Sequence, residues 1–483
     1  MTRDDETADN VVNFGHFHAR SARWIPDGYR IDGTGLYVTS TEDPTGAVRI
    51  AGPLEVVAET RRADGRQWGV LLRWWDRDGA ERETIVRRED LMAGGGSVCR
   101  RLADSGFWIA PGAKARTALI SFLSAIAVPE RATLVSAPGW HGEAYVLPDE
   151  TIGPDDGERV ILDVDGLALP PTDVAGEVAR WRREVASLAI GNSRIALALS
   201  AALAPPLLAP LGLEGGGVHF RGASSTGKST LLAAAASVWG PPGFMASWRA
   251  TANGLESVAA GRNDALLVLD ELGQVSGREA CEAAYMLANG EGKARAGRHG
   301  EGETRRTWRT LFISSGEIGL AEKARQANQR LMAGQAVRVL DVPVDAGAGL
   351  GAFEALHGHG DADTFARHLK RAAVVDYGHA ARRFVQALAR DRDRMTTTAR
   401  QHVDAFVDDH VPQGADGQVA RAVQRFGVIA AAGELATDED ILPWSAGEAT
   451  RAAAAAFQAW CDARGGGGYR ECGPGQVRWR RLL

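Results

Sequence analysis

Apolar and polar positions fall into three regimes along the chain. In the first, up to about residue 170, short runs rich in β-branched and aromatic residues recur at Gly35–Thr39, Val56–Thr60, Trp68–Trp74 and Thr84–Val86. Ala63-Asp64-Gly65 and Asp78-Gly79 punctuate them with turn chemistry, which predicts strands joined by hairpin loops. One helix is expected near Ala115–Ala127, and the strand pattern resumes at Thr133–Ser136, Gly139–Trp140 and Ala144–Leu147. Together these predict a β-rich N-terminal domain over residues 1–170, closed by Pro170-Pro171. Beyond the prolines, Thr172 or Asp173 is placed to cap a helix whose stripe Val174, Val178, Trp181, Val185 and Leu188 reads as core packing.

The second regime begins after the apolar stretch Ile195–Leu213. That stretch approaches membrane-spanning length, but Pro205, Pro206 and Pro210 interrupt it, so a buried helix is expected and no membrane partner. From Gly215 to Asp345, strand-like apolar runs alternate with helical segments, the pattern of a parallel α/β sheet. The predicted second domain spans 171–345, leading helix included. The third regime follows the glycine-rich linker Ala346–Gly351. It is Ala-rich and helical, with amphipathic stretches at Thr364–Leu388 and Gln418–Leu435 and a last helix at Gly447–Arg464, so 346–483 is expected to form a helical lid domain.

Composition narrows the function classes. With 483 residues, 45% hydrophobic and 24% charged, the chain is globular and long enough for several cores. The net charge of −6 removes a global nucleic-acid signature, so any such contact must come from a local patch. Cys99, Cys281, Cys461 and Cys472 form no metal-spaced pair and no disulfide framework, and with an acidic, polar N-terminus they point to the cytoplasm. His357, His359 and His368 lie near Asp361 and Asp363 at spacings that match no ligand pattern, so they are read as surface residues and no protein-held metal cluster is expected.

One segment carries explicit chemistry. Gly222-Ala223-Ser224-Ser225-Thr226-Gly227-Lys228-Ser229 fits G-x-x-x-x-G-K-[ST], follows the apolar run Val218–Arg221 and opens a helix through Thr230. Such a loop closes backbone N–H groups around phosphate oxygens, with Lys228 reaching the β- and γ-phosphates of ATP and the Ser229 hydroxyl on Mg²⁺. Next, the buried-strand run Leu266–Leu269 ends in Asp270-Glu271. Asp270 is placed to hold the metal and Glu271 to polarise an attacking water, a pairing that favours hydrolysis over phosphoryl transfer to a small molecule. A third strand, Thr310–Ser315, puts Ser315 or its neighbour Ser314 where a polar group would meet the γ-phosphate. A fourth, Ala336–Val344, opens with Arg338, a candidate arginine finger for which Arg325 and Arg330 compete. Arg249 and Thr251 are softer candidates for the cleft, and Arg421 and Arg425 for a phosphate contact from the lid.

Residues 290–309 hold six Lys or Arg against three Asp or Glu. Lys293, Arg295, Arg298, His299 and Arg305 flank a glycine-rich tip, so a basic hairpin able to track a single DNA strand is expected there.

Gly222–Gly240, Trp248–Glu256, Leu266–Gln274, Ala284–Gly290 and Ser314–Glu317, with Gly414–Ala436 further on, resemble the family called domain of unknown function 927. The resemblance covers residues 30 to 465. It implies that the P-loop NTPase core, which the residue pattern sets between a β-rich domain and a helical lid, is similar to the AAA+ class. It also implies a helicase-like protein of a mobile genetic element that uses ATP and Mg²⁺ to move on or unwind DNA during replication, in a homo-oligomeric ring, hexameric by family geometry, with a primase or loader as a possible partner. The basic segment 293–309 matches where such helicases place a DNA-gripping hairpin, and Arg338 where they place the trans-acting finger. The chain departs from the pattern in having Ser315 where Asn is common, and it shows no primase or zinc-finger motif. Two rival readings stand beside the motor: an ATP-driven protein remodeller or nucleotide switch that leaves DNA alone, and a non-catalytic replication scaffold.

Overall fold

The computed structural model describes residues 24–464, apart from 40–45, 155–156, 165, 294, 297–301, 304, 329–336, 413–414 and 416. The chain divides into two compact units, Met1–Val135 with Asp156–Asp163, and Ser136–Asp155 with Val164–Leu483.

The first unit is built on a five-stranded mixed sheet in the order Arg159–Leu162, Arg131–Val135, Glu55–Arg62, Gly69–Trp75, Glu81–Arg87. Val56 and Ala58 are buried between half-buried neighbours, the period-2 pattern of a strand with one covered face. Gly65 and Gly79 turn the two hairpins with φ of 76° and 78°, conformations that cost a side chain energy. Helices Gly96–Asp104 and Ala113–Ala125 share a core with this sheet, Leu119, Phe122 and Leu123 lying with Val70, Leu72 and Trp74. The helix expected at Ala115–Ala127 is thus found, shifted by two residues.

The second unit holds a five-stranded parallel sheet: β1 (Gly216–Arg221), β2 (Ala246–Ser247), β3 (Leu266–Asp270), β4 (Leu311–Gly316) and β5 (Val339–Pro343). Its order is β2-β3-β4-β1-β5. Helices α1 (Ser193–Leu203), α2 (Lys228–Ser237) and α3 (Gly277–Asn289) belong to this layer, and a helical C-terminal region follows with α4 (Ala362–Val375) and α5 (Gly417–Asp438). The fold is therefore mixed α/β, with a parallel sheet and a helical C-terminal region. Every residue of α1 is buried, and it bends by 55° into Pro205–Leu211. Among the described residues no single helix is long and apolar enough to cross a membrane.

Three local expectations are corrected. The antiparallel strands Gly139–His141, Ala144–Val146 and Thr151–Ile152 pack in the second unit, not with the sheet that precedes them. Tyr145, Leu147 and Ile152 join its core, and the Tyr145 hydroxyl donates to the Asp264 carbonyl at 2.7 Å. The helix after Pro171 begins only at Val178 and widens into a π turn over Arg182–Ala186. Thr172 does not cap it, because its hydroxyl donates to Asp149 instead, and Val174 is exposed. The stretch Thr364–Leu388 breaks in two at Asp376, whose carboxylate accepts the Glu177 N–H and the Arg180 guanidinium, and Gly378 then turns the chain with φ of 81°.

Candidate functional site

The glycine-rich loop lies where β1 runs into α2, at the carboxyl end of the sheet, where open parallel sheets place their ligands. Gly227 takes φ of 95°, and a Cβ there would stand 3.0 Å from the Ala352 Cβ and 3.1 Å from the Phe353 ring. A Cβ on Gly222 would meet Val344 Cγ1 at 2.4 Å. The loop is thus clamped from outside by the segment after β5, and the Ala352 N–H donates to the Thr226 carbonyl at 2.9 Å. Lys228 Nζ donates to the Gly222 and Ala223 carbonyls at 2.8 and 2.5 Å, folding back over the loop. Burial lowers its ammonium below the ordinary lysine range, against the pull of the Glu317 and Asp270 carboxylates. The Ser229 hydroxyl is exposed on the first turn of α2, whose unpaired N–H groups give that end partial positive charge.

β4 lies between β1 and β3, so its end faces both the loop and the acidic pair. Ser315 Oγ donates to Asp270 Oδ1 at 2.5 Å. Ser314, one residue earlier, points away, into a buried hydrogen bond with His219. Asp270 Oδ1 also accepts the Glu271 N–H at 3.0 Å. Glu271 itself is exposed and sits in the left-handed region, φ 59° and ψ 66°. A non-glycine residue pays strain there, of the kind that collects at functional sites.

These elements enclose a cleft of about 950 Å³ lined by Ser224–Thr230, Asp270, Glu271 and Ser315. The residues taken from sequence as catalytic, nucleotide-binding and metal-binding are thus brought together, except Arg338, and except Gly222 and Ala223, which do not line the cleft and whose carbonyls accept from the Lys228 ammonium. The cleft adds groups that sequence reasoning did not assign: Glu317, Phe353 and Lys370, and the turn-spaced face Ala362, Ala366 of α4. The spacing of Ala362, Ala366 and Lys370 marks a helix face, but nothing local says which surface it meets. The donor set suits a magnesium nucleotide: backbone N–H groups and a lysine for phosphate, the Ser229 hydroxyl and Asp270 carboxylate as hard oxygen ligands. Among the described residues no group of three or more His, Cys, Asp or Glu is placed to hold a metal.

Arg338 does not line this cleft. It sits just before β5, at the opposite end of the sheet, against Asn289 Oδ1, with its guanidinium 3.9 Å from Glu214 and 5.7 Å from the Tyr285 ring. It helps line a second cavity of about 450 Å³. Of its competitors, Arg325 is exposed on the helix Leu320–Gln326, and Arg330 lies outside the described residues. Arg425 is removed as a phosphate contact. It is half-buried and donates to the Gly215 carbonyl at 2.8 Å and to the Val337 carbonyl, and desolvation of its guanidinium lowers it to about 10. None of Arg421, Arg249 and Thr251 lines the cleft; the two arginines are exposed elsewhere, and Thr251 caps the helix Ala252–Ala260.

The basic segment does form a hairpin. Arg295 and Ala296 pair antiparallel with Glu303 and Gly302. Its base is tied down where buried Glu256 accepts the Lys293 N–H at 3.0 Å and where the Trp308 ring is buried with its N–H on the Leu287 carbonyl. Lys293 is exposed, and Arg305 pairs with Glu291 at 2.7 Å. Arg298 and His299 lie outside the described residues.

The family described as Domain of unknown function (DUF927) matches residues 29–307. The chain belongs to that family. No curated protein sequence matches this family member. Among solved structures, the one titled "SCCmec type IV Cch - active helicase" superposes with a TM-score of 0.65 at 20% identity, over 86% of this chain and 75% of that one. At that identity the likeness is one of fold.

Proposed function

We propose that this chain is an ATP-hydrolysing motor that moves on or unwinds DNA during replication of a mobile genetic element, built on an AAA+-like P-loop core. The observation that carries the reading is the convergence of Lys228, Ser229, Asp270, Glu271 and Ser315 on one cleft at the carboxyl end of a parallel sheet. Lys228 and the loop N–H groups hold the β- and γ-phosphates, and α2 directs its positive end at them. Ser229 and Asp270 would hold Mg²⁺, which would supply neutralisation of charge on the phosphates. Glu271 takes a proton from the attacking water, and Ser315, anchored on Asp270, orients the γ-phosphate end. The fold likeness to a protein titled an active helicase supports action on DNA, and so does the exposed Lys293 at the hairpin base.

Arg338 lies too far from its own cleft to act there, so its role in this reading is in the cleft of a neighbouring subunit. That requires a ring, for which a hexamer is proposed.

The test is nucleotide binding and steady-state ATP turnover by two variants. Lys228→Ala is expected to lose both. Glu271→Gln is expected to keep Mg-ATP affinity while turnover falls about 10²- to 10⁴-fold, the usual weight of a general base. Equal turnover by wild type and Glu271→Gln would overturn the assignment.

A further inference from the structure

Ser314, His219 and Asp341 are register partners across β4, β1 and β5. Side chains of register partners share a sheet face, so the three form a row beneath the turn that follows Ser315. His219 is 1% exposed. Its Nε2 lies 3.0 Å from the Ile318 carbonyl, and its Nδ1 lies 2.7 Å from Ser314 Oγ. A carbonyl can only accept, so Nε2 carries the proton; in the neutral ring Nδ1 then accepts from the Ser314 hydroxyl. Asp341 completes the row by accepting the Leu320 N–H, at 3.1 Å to Oδ2. Two glycines let the turn lie flat on these side chains: a Cβ at Gly316 would be 2.9 Å from the His219 ring, and one at Gly319 would be 2.5 Å from Asp341 Oδ2.

The turn so held, Gly316 to Leu320, carries Glu317 and Ile318 into the cleft wall, directly after Ser315. We propose that His219 is a positioning residue for the hydrolytic site: it fixes the Gly316–Leu320 turn from below, so that Ser315 meets Asp270 and Glu317 stands beside Lys228. It touches none of the reacting groups and acts through Ser314 and Ile318. The proposal rests on the hydrolytic reading above for its catalytic consequence, whereas the clamp itself is a property of the fold.

Both parts are read by one set of variants in the full chain. His219→Leu keeps much of the volume and removes both hydrogen bonds. His219→Gln returns a donor near Nε2, and His219→Asn an acceptor near Nδ1. In His219→Leu, amide hydrogen exchange across residues 314–320 should speed up about tenfold or more while the rest of the sheet stays protected. ATP turnover should fall about 10- to 100-fold in kcat with KM within about twofold, as expected for sub-ångström misplacement of catalytic groups. His219→Gln should recover much of both. Unchanged exchange and kcat would overturn the proposal, and so would a fall in kcat that only follows global unfolding and is not recovered by Gln. If the leucine variant does not fold, the Gln and Asn variants carry the comparison against wild type. If wild type itself turns over no nucleotide, the hydrolytic reading fails, and the exchange pattern still decides whether the clamp exists.

Discussion

At the residue scale, the site depends on positions whose backbone only glycine tolerates well. Gly227→Ala would put a Cβ into a left-handed residue and within 3.0 Å of Ala352. The expected cost is about 1–2 kcal/mol of unfolding free energy, measured by urea denaturation, with weaker nucleotide binding because the loop must shift. His219 supplies a second prediction. Burial lowers its imidazole below the ordinary value of 6.5, and the nearby Arg221 and Lys228 push the same way, against Asp341 and the Ile318 carbonyl. The unfolded chain therefore binds a proton that the folded chain does not. The stability contributed by neutral His219 is complete above pH 6.5 and is lost as pH falls from there toward the folded value, by up to about 1.4 kcal/mol per pH unit. His219→Asn should flatten that part of the stability profile, which thermal unfolding between pH 7 and 5 would detect. The loop, Asp270 and Glu271 were legible in sequence because their chemistry is written in contiguous residues. Ser315 was preferred to Ser314 there, and it is Ser315 that meets Asp270, although the strand pattern alone gives alternation and not the face. Arg425 was misjudged for a related reason: an arginine on a helix reads as a surface charge until the strand ends it bonds to are in place.

At the scale of elements, β1, β3 and β4 were found within a residue or two because a buried parallel strand reads as a short apolar run, continuous in β3 and interrupted only by His219 in β1 and by the serines at the end of β4. The strands at Gly139–His141 and Ala144–Val146 were legible as strands and Thr151–Ile152 was not, and the core they join was hidden too, because the Tyr145 contact with Asp264 is made far along the chain. The same holds for α4: its apolar spacing announced a helix, while its contribution of Lys370 to the cleft depends on the whole fold. The hairpin between α3 and β4 gives a third prediction. Replacing Lys293 and Arg305 together by Ala should weaken single-stranded DNA binding and reduce the slope of log affinity against log salt by about 0.7 to 1.4, the lower value if the Glu291 pairing already neutralises Arg305. Fluorescence anisotropy over a salt series measures it. An unchanged slope would remove the hairpin base from the DNA path.

At the scale of the whole molecule, the proposed role of Arg338 in a neighbour's cleft would make the site a shared one. A chain carrying Lys228→Ala and a chain carrying Arg338→Ala should each be nearly inactive alone. Mixed in equal amounts, random assembly into a closed ring leaves about one interface in four with both groups intact, so part of the turnover should return. No recovery on mixing would leave Arg338 a structural residue held by Asn289 and Tyr285. The net charge of −6 gives DNA no general attraction, so binding must come from local contacts such as the hairpin, and turnover must be coupled to them if this is a motor. The most direct measurement is therefore steady-state ATP turnover by the full chain with and without single-stranded DNA. Strong stimulation by DNA, abolished by Glu271→Gln, is the expected result. Turnover indifferent to DNA would contradict it in favour of a protein remodeller, and bound nucleotide without turnover would contradict it in favour of a scaffold.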